Sequence, residues 1–143
     1  MSDIKMDVTV NSVIDNLGDT GLPEGDPEIS IFTTDGILTA GDGMTLTFTE
    51  ESDGQSATSR LKITDGGVHL TKSGAINSDM RFAEGESFDT LYKVGPYAFD
   101  MTVKTKRIRC DLTENGGTLQ LIYSMNIGGQ EKNVRMKISA KRK

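Results

Sequence analysis

The sequence predicts an all-β chain folded as a single antiparallel up-and-down barrel of roughly eight to ten strands, with little helix. Three observations lead there. Apolar residues recur with period 2 along almost the whole chain, Asp-Gly, Asn-Gly and Gly-Gly pairs separate the alternating runs, and no stretch keeps a helical period. Alternation sends one face of each strand toward a core and the other toward water. The Gly-containing pairs supply the positive φ angles of tight hairpin turns. A sheet with this many strands and one apolar face has to bury that face against itself. Closure also removes the edges that would recruit other chains. Two packed sheets are the competing arrangement.

The first strand is read from Ile4, Met6, Val8 and Val10, which share one parity. Asp15 to Pro27, with Gly18, Gly21, Pro23, Gly25 and four acids, is expected to be an irregular surface loop. Ile29, Ile31 and Thr33 then alternate with Ser30, Phe32 and Thr34, and Asp35-Gly36 is expected to turn the chain. Met44, Leu46 and Phe48 alternate with three threonines before Asp53-Gly54, with Asp42-Gly43 as the preceding turn. Ala57, Ser59, Leu61 and Ile63 share a parity and end at Asp65-Gly66. Val68 and Leu70 follow, then Met80 and Phe82. Tyr97, Phe99, Met101 and Val103 form the cleanest odd row, whereas Ile108, Cys110 and Leu112 are even, so a bulge or corner is expected near Lys106. Leu119 to Ile127 is odd and Val134 to Ala140 even, with Asn115-Gly116 and Gly128-Gly129 as turns.

Composition bounds the rest. With 143 residues, 35% of them hydrophobic, the chain supports one real core, so residues 1–143 are expected to form one domain. No run approaches the ~20 apolar residues of a membrane-spanning helix. Met1 to Met6 has neither a basic n-region nor an apolar h-region, and the cytoplasm is the expected location. One cysteine excludes a disulfide framework, and one histidine excludes a multi-histidine metal centre; neither metal nor cofactor is expected.

The order of motifs in the second half resembles a known family. Lys72-Ser73-Gly74-Ala75-Ile76-Asn77-Ser78 precedes Met80-Arg81-Phe82-Ala83-Glu84-Gly85, then Leu91-Tyr92, Gly95-Pro96-Tyr97 and Glu114-Asn115-Gly116-Gly117-Thr118-Leu119-Gln120-Leu121-Ile122-Tyr123. This resembles the small bacterial proteins of the YwiB-like family of unknown function (DUF1934), grouped with the calycin barrels. The likeness is good over about residues 66–140 and elsewhere extends only to the strand pattern. It implies a lipocalin-like barrel and no established activity. A Tyr-x-Thr-Pro-Tyr-Gly-like stretch of the family departs here, with Gly95 for the Thr and Ala98 for the last Gly.

Chemistry-bearing residues do not assemble into a catalytic pattern. His69, between Val68 and Leu70, should point outward. Cys110 shares parity with Ile108 and Leu112 and is expected in the core, although Arg107 and Arg109 would favour a thiolate if it were exposed. Glu50-Glu51-Asp53, Glu84-Glu86 and Asp111 with Glu114 fall beside glycines in expected turns, where solvation keeps carboxylates ordinary. Asp15, Asp19, Glu24 and Asp26 lack the spacing of a calcium loop. No enzyme is expected.

Two binding readings remain. Six methionines share the inward parity, and Met80, Phe82, Tyr92, Tyr97, Phe99, Met101, Tyr123 and Met125 would line the interior, where a small apolar or amphipathic molecule would sit unless side chains fill it. The alternative rests on charge. Residues 1–100 carry 6 Lys and Arg against 18 Asp and Glu, a net −12, while residues 101–143 carry 10 against 3, a net +7. Lys104, Arg109, Arg135 and Lys137 are expected to point outward on one face and to bind an anionic partner, protein or RNA, weakly. Monomer and homodimer are both compatible with the sequence.

Overall fold

Ten strands, described over residues 3–41, 43–52 and 54–143 of a computed structural model, run in chain order around a closed barrel. They are β1 (Asp3–Asn16), β2 (Glu28–Gly41), β3 (Gly43–Ser52), β4 (Gln55–Thr64), β5 (Gly67–Gly74), β6 (Ile76–Phe82), β7 (Ser87–Val94), β8 (Tyr97–Cys110), β9 (Gly116–Ile127) and β10 (Gln130–Arg142). Each pairs antiparallel with its neighbours in sequence, and β10 closes on β1 from Met6↔Arg142 to Asn16↔Lys132. No helix occurs among the described residues. Asp42 and Asp53, expected in turns, lie outside them.

The alternating apolar residues form the interior. Leu38, Leu46, Leu61, Phe82, Met101, Leu119 and Leu121 each keep no more than 2% of their surface accessible. Each such burial stabilises the fold by about 1.5–3 kcal/mol. The middle of the barrel is therefore solid. Phe82 and Tyr123 pack with ring centroids 4.7 Å apart at an interplanar angle of 58°. Burial pushes the Tyr123 phenol pKa far up, so it stays neutral.

Three expectations change. Asp35-Gly36 does not turn the chain, because β2 runs straight through it to Gly41. The reason is packing: a Cβ on Gly36 would stand 2.6 Å from Val8 Cγ2 and 3.1 Å from the Thr47 carbonyl oxygen. Only hydrogen fits there. Cys110 is exposed rather than in the core. The ladder of β8 and β9 shifts between Thr105 and Arg107, a bulge that returns Ile108 to the inner side, but β8 ends at Cys110, at the barrel rim. The expected loop begins slightly later than Asp15, since β1 continues to Asn16. Hydrogen bonds from Gly18 N to Leu22 O at 2.9 Å and from Glu24 N to Asn16 O at 2.7 Å order its residues.

The wall is not equally paired all round. β6 joins β7 only from Ile76↔Val94 to Ser78↔Tyr92, whereas β7 joins β8 from Ser87 to Val94. β2 joins β3 only from Gly36 to Gly41, so its stretch from Glu28 to Asp35 is laddered to β1 alone.

Candidate functional site

Inward and outward candidates divide as the alternation of the strands requires, but the ends of the strands decide what each can reach. Met80, Phe82, Met101 and Tyr123 are buried in the solid interior, while Tyr92 and Met125 are half-buried against its margin. Phe99 and Tyr97 are not in the interior: they are 42% and 66% exposed. Both carry inward parity, yet the ladder of β8 with β9 begins only at Met101↔Ile127. Tyr97 to Asp100 are therefore laddered only to β7, with Asp100 O also accepting from Gly128 N at 3.0 Å, and the β7–β8 hairpin reaches past the end of the β8–β9 ladder.

The cationic residues come together on the outside. In the ladders of β8, β9 and β10, Arg109 faces Gln120 and Gln120 faces Lys137. One outward step along, Arg107 faces Ile122 and Ile122 faces Arg135. With strands about 4.8 Å apart and outward residues about 7 Å apart, the four backbone positions mark corners of a patch roughly 10 by 7 Å. Lys104, opposite Ser124, extends it. Lys104, Arg107, Arg109, Arg135 and Lys137 are all exposed. Among the described residues none of them lies in an ion pair; the five pairs present involve Lys72, Arg81, His69 and Lys143. Two carboxylates border the patch: Glu84 Oε1 accepts from Ile108 N at 2.9 Å, and Asp111 is held below the usual carboxylate range chiefly by hydrogen bonds from Thr118 and least by Lys137. Lys132 does not belong to the patch. It faces Met125 and Asn16, on the inward parity of Val134, and is half-buried.

His69 points outward, with Nε2 2.6 Å from Asp79 Oδ1, flanked in the ladder by Lys62 and Arg81. Lys62, His69 and Arg81 border an open cleft of about 470 Å³ where β6 and β7 part, which also meets Phe82, Ser87 and Phe88. Arg81 stacks 5.3 Å above the Phe88 ring centroid and its Nε is 3.9 Å from Asp79, so its charge is already engaged.

One inward group was not expected. Glu50 follows Leu46 and Phe48 on the inner face of β3, and Lys72 follows Val68 and Leu70 on β5; Lys72 Nζ lies 4.0 Å from Glu50 Oε2. Parity alone would have found both. The nearness of Glu50 to turn glycines made it look like a solvated carboxylate.

The family model described as "Domain of unknown function (DUF1934)" matches residues 8–138. The "Uncharacterized beta-barrel protein YwiB" of Bacillus subtilis (strain 168) is 28% identical over 112 residues, 78% of this chain and 79% of that protein. The crystal structure of the ywiB protein from Bacillus subtilis is similar over 99% of this chain and 93% of its own, with a TM-score of 0.85 and 26% identity. A family match over nearly the whole chain, together with the same closed barrel, makes this chain a member of the DUF1934 family of uncharacterised β-barrel proteins.

Proposed function

We propose that this protein is a non-enzymatic docking barrel of the cytoplasm that binds a polyanion through the outer face of β8, β9 and β10. The observation that carries the reading is the patch of Arg107, Arg109, Arg135 and Lys137, exposed and outside every ion pair among the described residues, on a chain of net charge −5. Unpaired cations at this spacing follow a line of negative charge. The outward residues of β9 between them are Thr118, Gln120, Ile122, Ser124 and Asn126, with no aromatic ring to stack on a base. Contact with phosphates or other backbone charges fits this face better than base reading.

The other reading, a small amphipathic molecule held deep in the barrel among Met80, Phe82, Met101 and Tyr123, has weaker support. Those side chains already fill the space it would need.

Retention on immobilised heparin and binding of a mixed-sequence RNA, both followed against salt, test the proposal. Four engaged cations give a log–log salt slope of about −3, so affinity should fall roughly fiftyfold between 50 and 200 mM salt. Arg135→Glu with Lys137→Glu should abolish retention while changing stability by less than about 1 kcal/mol, because exposed charges contribute little to folding. No retention of the wild type even at ~20 mM salt, where screening is slight, would sink it.

A further inference from the structure

A strand edge left open is a template for another chain, and proteins blunt such edges with Lys, Pro or a bulge. From Glu28 to Asp35, β2 has none of these devices. It carries no Lys, Arg or Pro there, and its ladder with β1 runs from Asp3↔Thr39 to Ile14↔Glu28 without a shift. β3 leaves it at Gly36↔Phe48. The Thr34 hydroxyl, donating to the Thr49 carbonyl at 2.9 Å, is the last hydrogen bond between the two strands among the described residues. Beyond that fork, every second N–H and C=O of β2 points away from β1. No backbone group of another strand or loop among the described residues bonds them on that side. The side chains agree. Ile29 and Ile31, on the outer face, are 73% and 65% exposed, although β-branched residues suit a covered, pleated surface.

We propose that this edge takes up an extended basic segment of another protein as an added strand. Charge decides the occupant. Residues 6–59 hold eleven Asp and Glu and no Lys or Arg. Asp26 and Glu28 stand at one end of the edge and Glu51 across the fork on β3. All three are exposed and outside every ion pair among the described residues. Asp35, at the other end, is already held by Lys143. Backbone hydrogen bonds supply affinity, apolar side chains beside Ile29 and Ile31 set the register, and cations of the segment meet Asp26, Glu28 and Glu51. A second copy of this chain is the poorer occupant. Antiparallel pairing of two such edges brings acids to acids, with no cation on either strand between Glu28 and Asp35. The edge is also independent of the cationic face. β1 separates β2 from β10, so an added strand lies about 14 Å from Arg135 and Lys137, beyond the Debye length of ~8 Å.

A capped octapeptide alternating lysine and valine, titrated into the full chain and followed by amide NMR shifts and hydrogen exchange, tests the edge. The comparators are an alternating glutamate and valine peptide, and the lysine and valine peptide methylated at every backbone nitrogen. Saturable shifts along Glu28 to Asp35 are expected, with every second amide there gaining protection. The methylated peptide keeps its charge but cannot donate, so it should bind about tenfold more weakly or worse. Glu28→Lys with Glu51→Lys should weaken binding about tenfold or more while the spectra still report a folded barrel. Arg135→Glu with Lys137→Glu should leave the constant within about twofold, since screening separates the two faces. Absence of saturable shifts at the edge overturns the proposal. Equal binding of either comparator, or indifference to Glu28→Lys with Glu51→Lys, overturns it as well. So does a dimer of the free chain that the peptide dissociates, which would assign the edge to a second copy.

Discussion

Asp111 and Thr118 are joined by three hydrogen bonds across the β8–β9 connection. Asp111 Oδ1 accepts from Thr118 N at 2.7 Å and from Thr118 Oγ1 at 3.0 Å, and Asp111 N donates to Thr118 O at 3.0 Å. The backbone bond, then the hydroxyl bond, hold the carboxyl below its ordinary pKa in the folded chain. A depressed folded pKa gives stability that is present above the unfolded value of about 3.9 and is lost as pH falls through the folded one. Asp111→Asn should therefore lower the urea midpoint at pH 7, and its gap to the wild type should narrow by pH 3. Equal gaps at both pH values would show that the charge is not what matters.

Truncation should separate two residues of one alternating row. Met101→Ala, in the solid interior, should cost about 2–5 kcal/mol. Phe99→Ala, on the overhanging hairpin, should cost about 1 kcal/mol or less, because much of its ring is already wet. Urea denaturation of both variants decides it. Equal losses would mean that the hairpin tip belongs to the core.

Gly36 has no room for a methyl group between Val8 and the Thr47 carbonyl. Gly36→Ala should destabilise by about 1–3 kcal/mol through overpacking. Gly66→Ala serves as control: its Cβ would meet nothing within 4 Å, and the change should stay within ~0.5 kcal/mol. A neutral Gly36→Ala in thermal melts would mean that the wall yields there.

Thr105 carries its unpartnered hydroxyl opposite Tyr123, on the inner face next to the β8 bulge. Thr105→Val keeps the shape and removes the orphaned oxygen. It should raise stability by about 1 kcal/mol, measured by denaturant midpoint at unchanged slope. A loss of more than ~1 kcal/mol would show that the hydroxyl makes a bond, for example to a buried water.

Parity made most of this barrel legible in advance, including the bulge near Lys106, because an inward residue that turns outward changes the whole core. What parity cannot express is how far the neighbouring strand extends. Phe99, Tyr97 and Cys110 all have inward parity, and all are exposed because their strands reach the rim or pass it. Asp35-Gly36 carries the composition of a turn, yet the same missing side chain that suits a turn also suits the crowding between Val8 and Phe48. On the outer face, Arg109, Arg135 and Lys137 were legible because outward charge on sequential hairpins has to gather. Glu50 was hidden by its closeness to a turn, although its parity with Phe48 pointed inward, as that of Lys72 with Leu70 did.

Closure through β1 and β10 also sets an order of events during synthesis. A chain made from its first residue onward completes β1 long before β10, its partner over eleven register positions, from Met6↔Arg142 to Asn16↔Lys132. Until then β1 keeps one unpaired edge, and Met6, Val8 and Val10 wait for an interior that is incomplete. Such long-range pairing slows folding and leaves a strand edge open to other chains meanwhile. The first strand to be made is among the last to be sheltered.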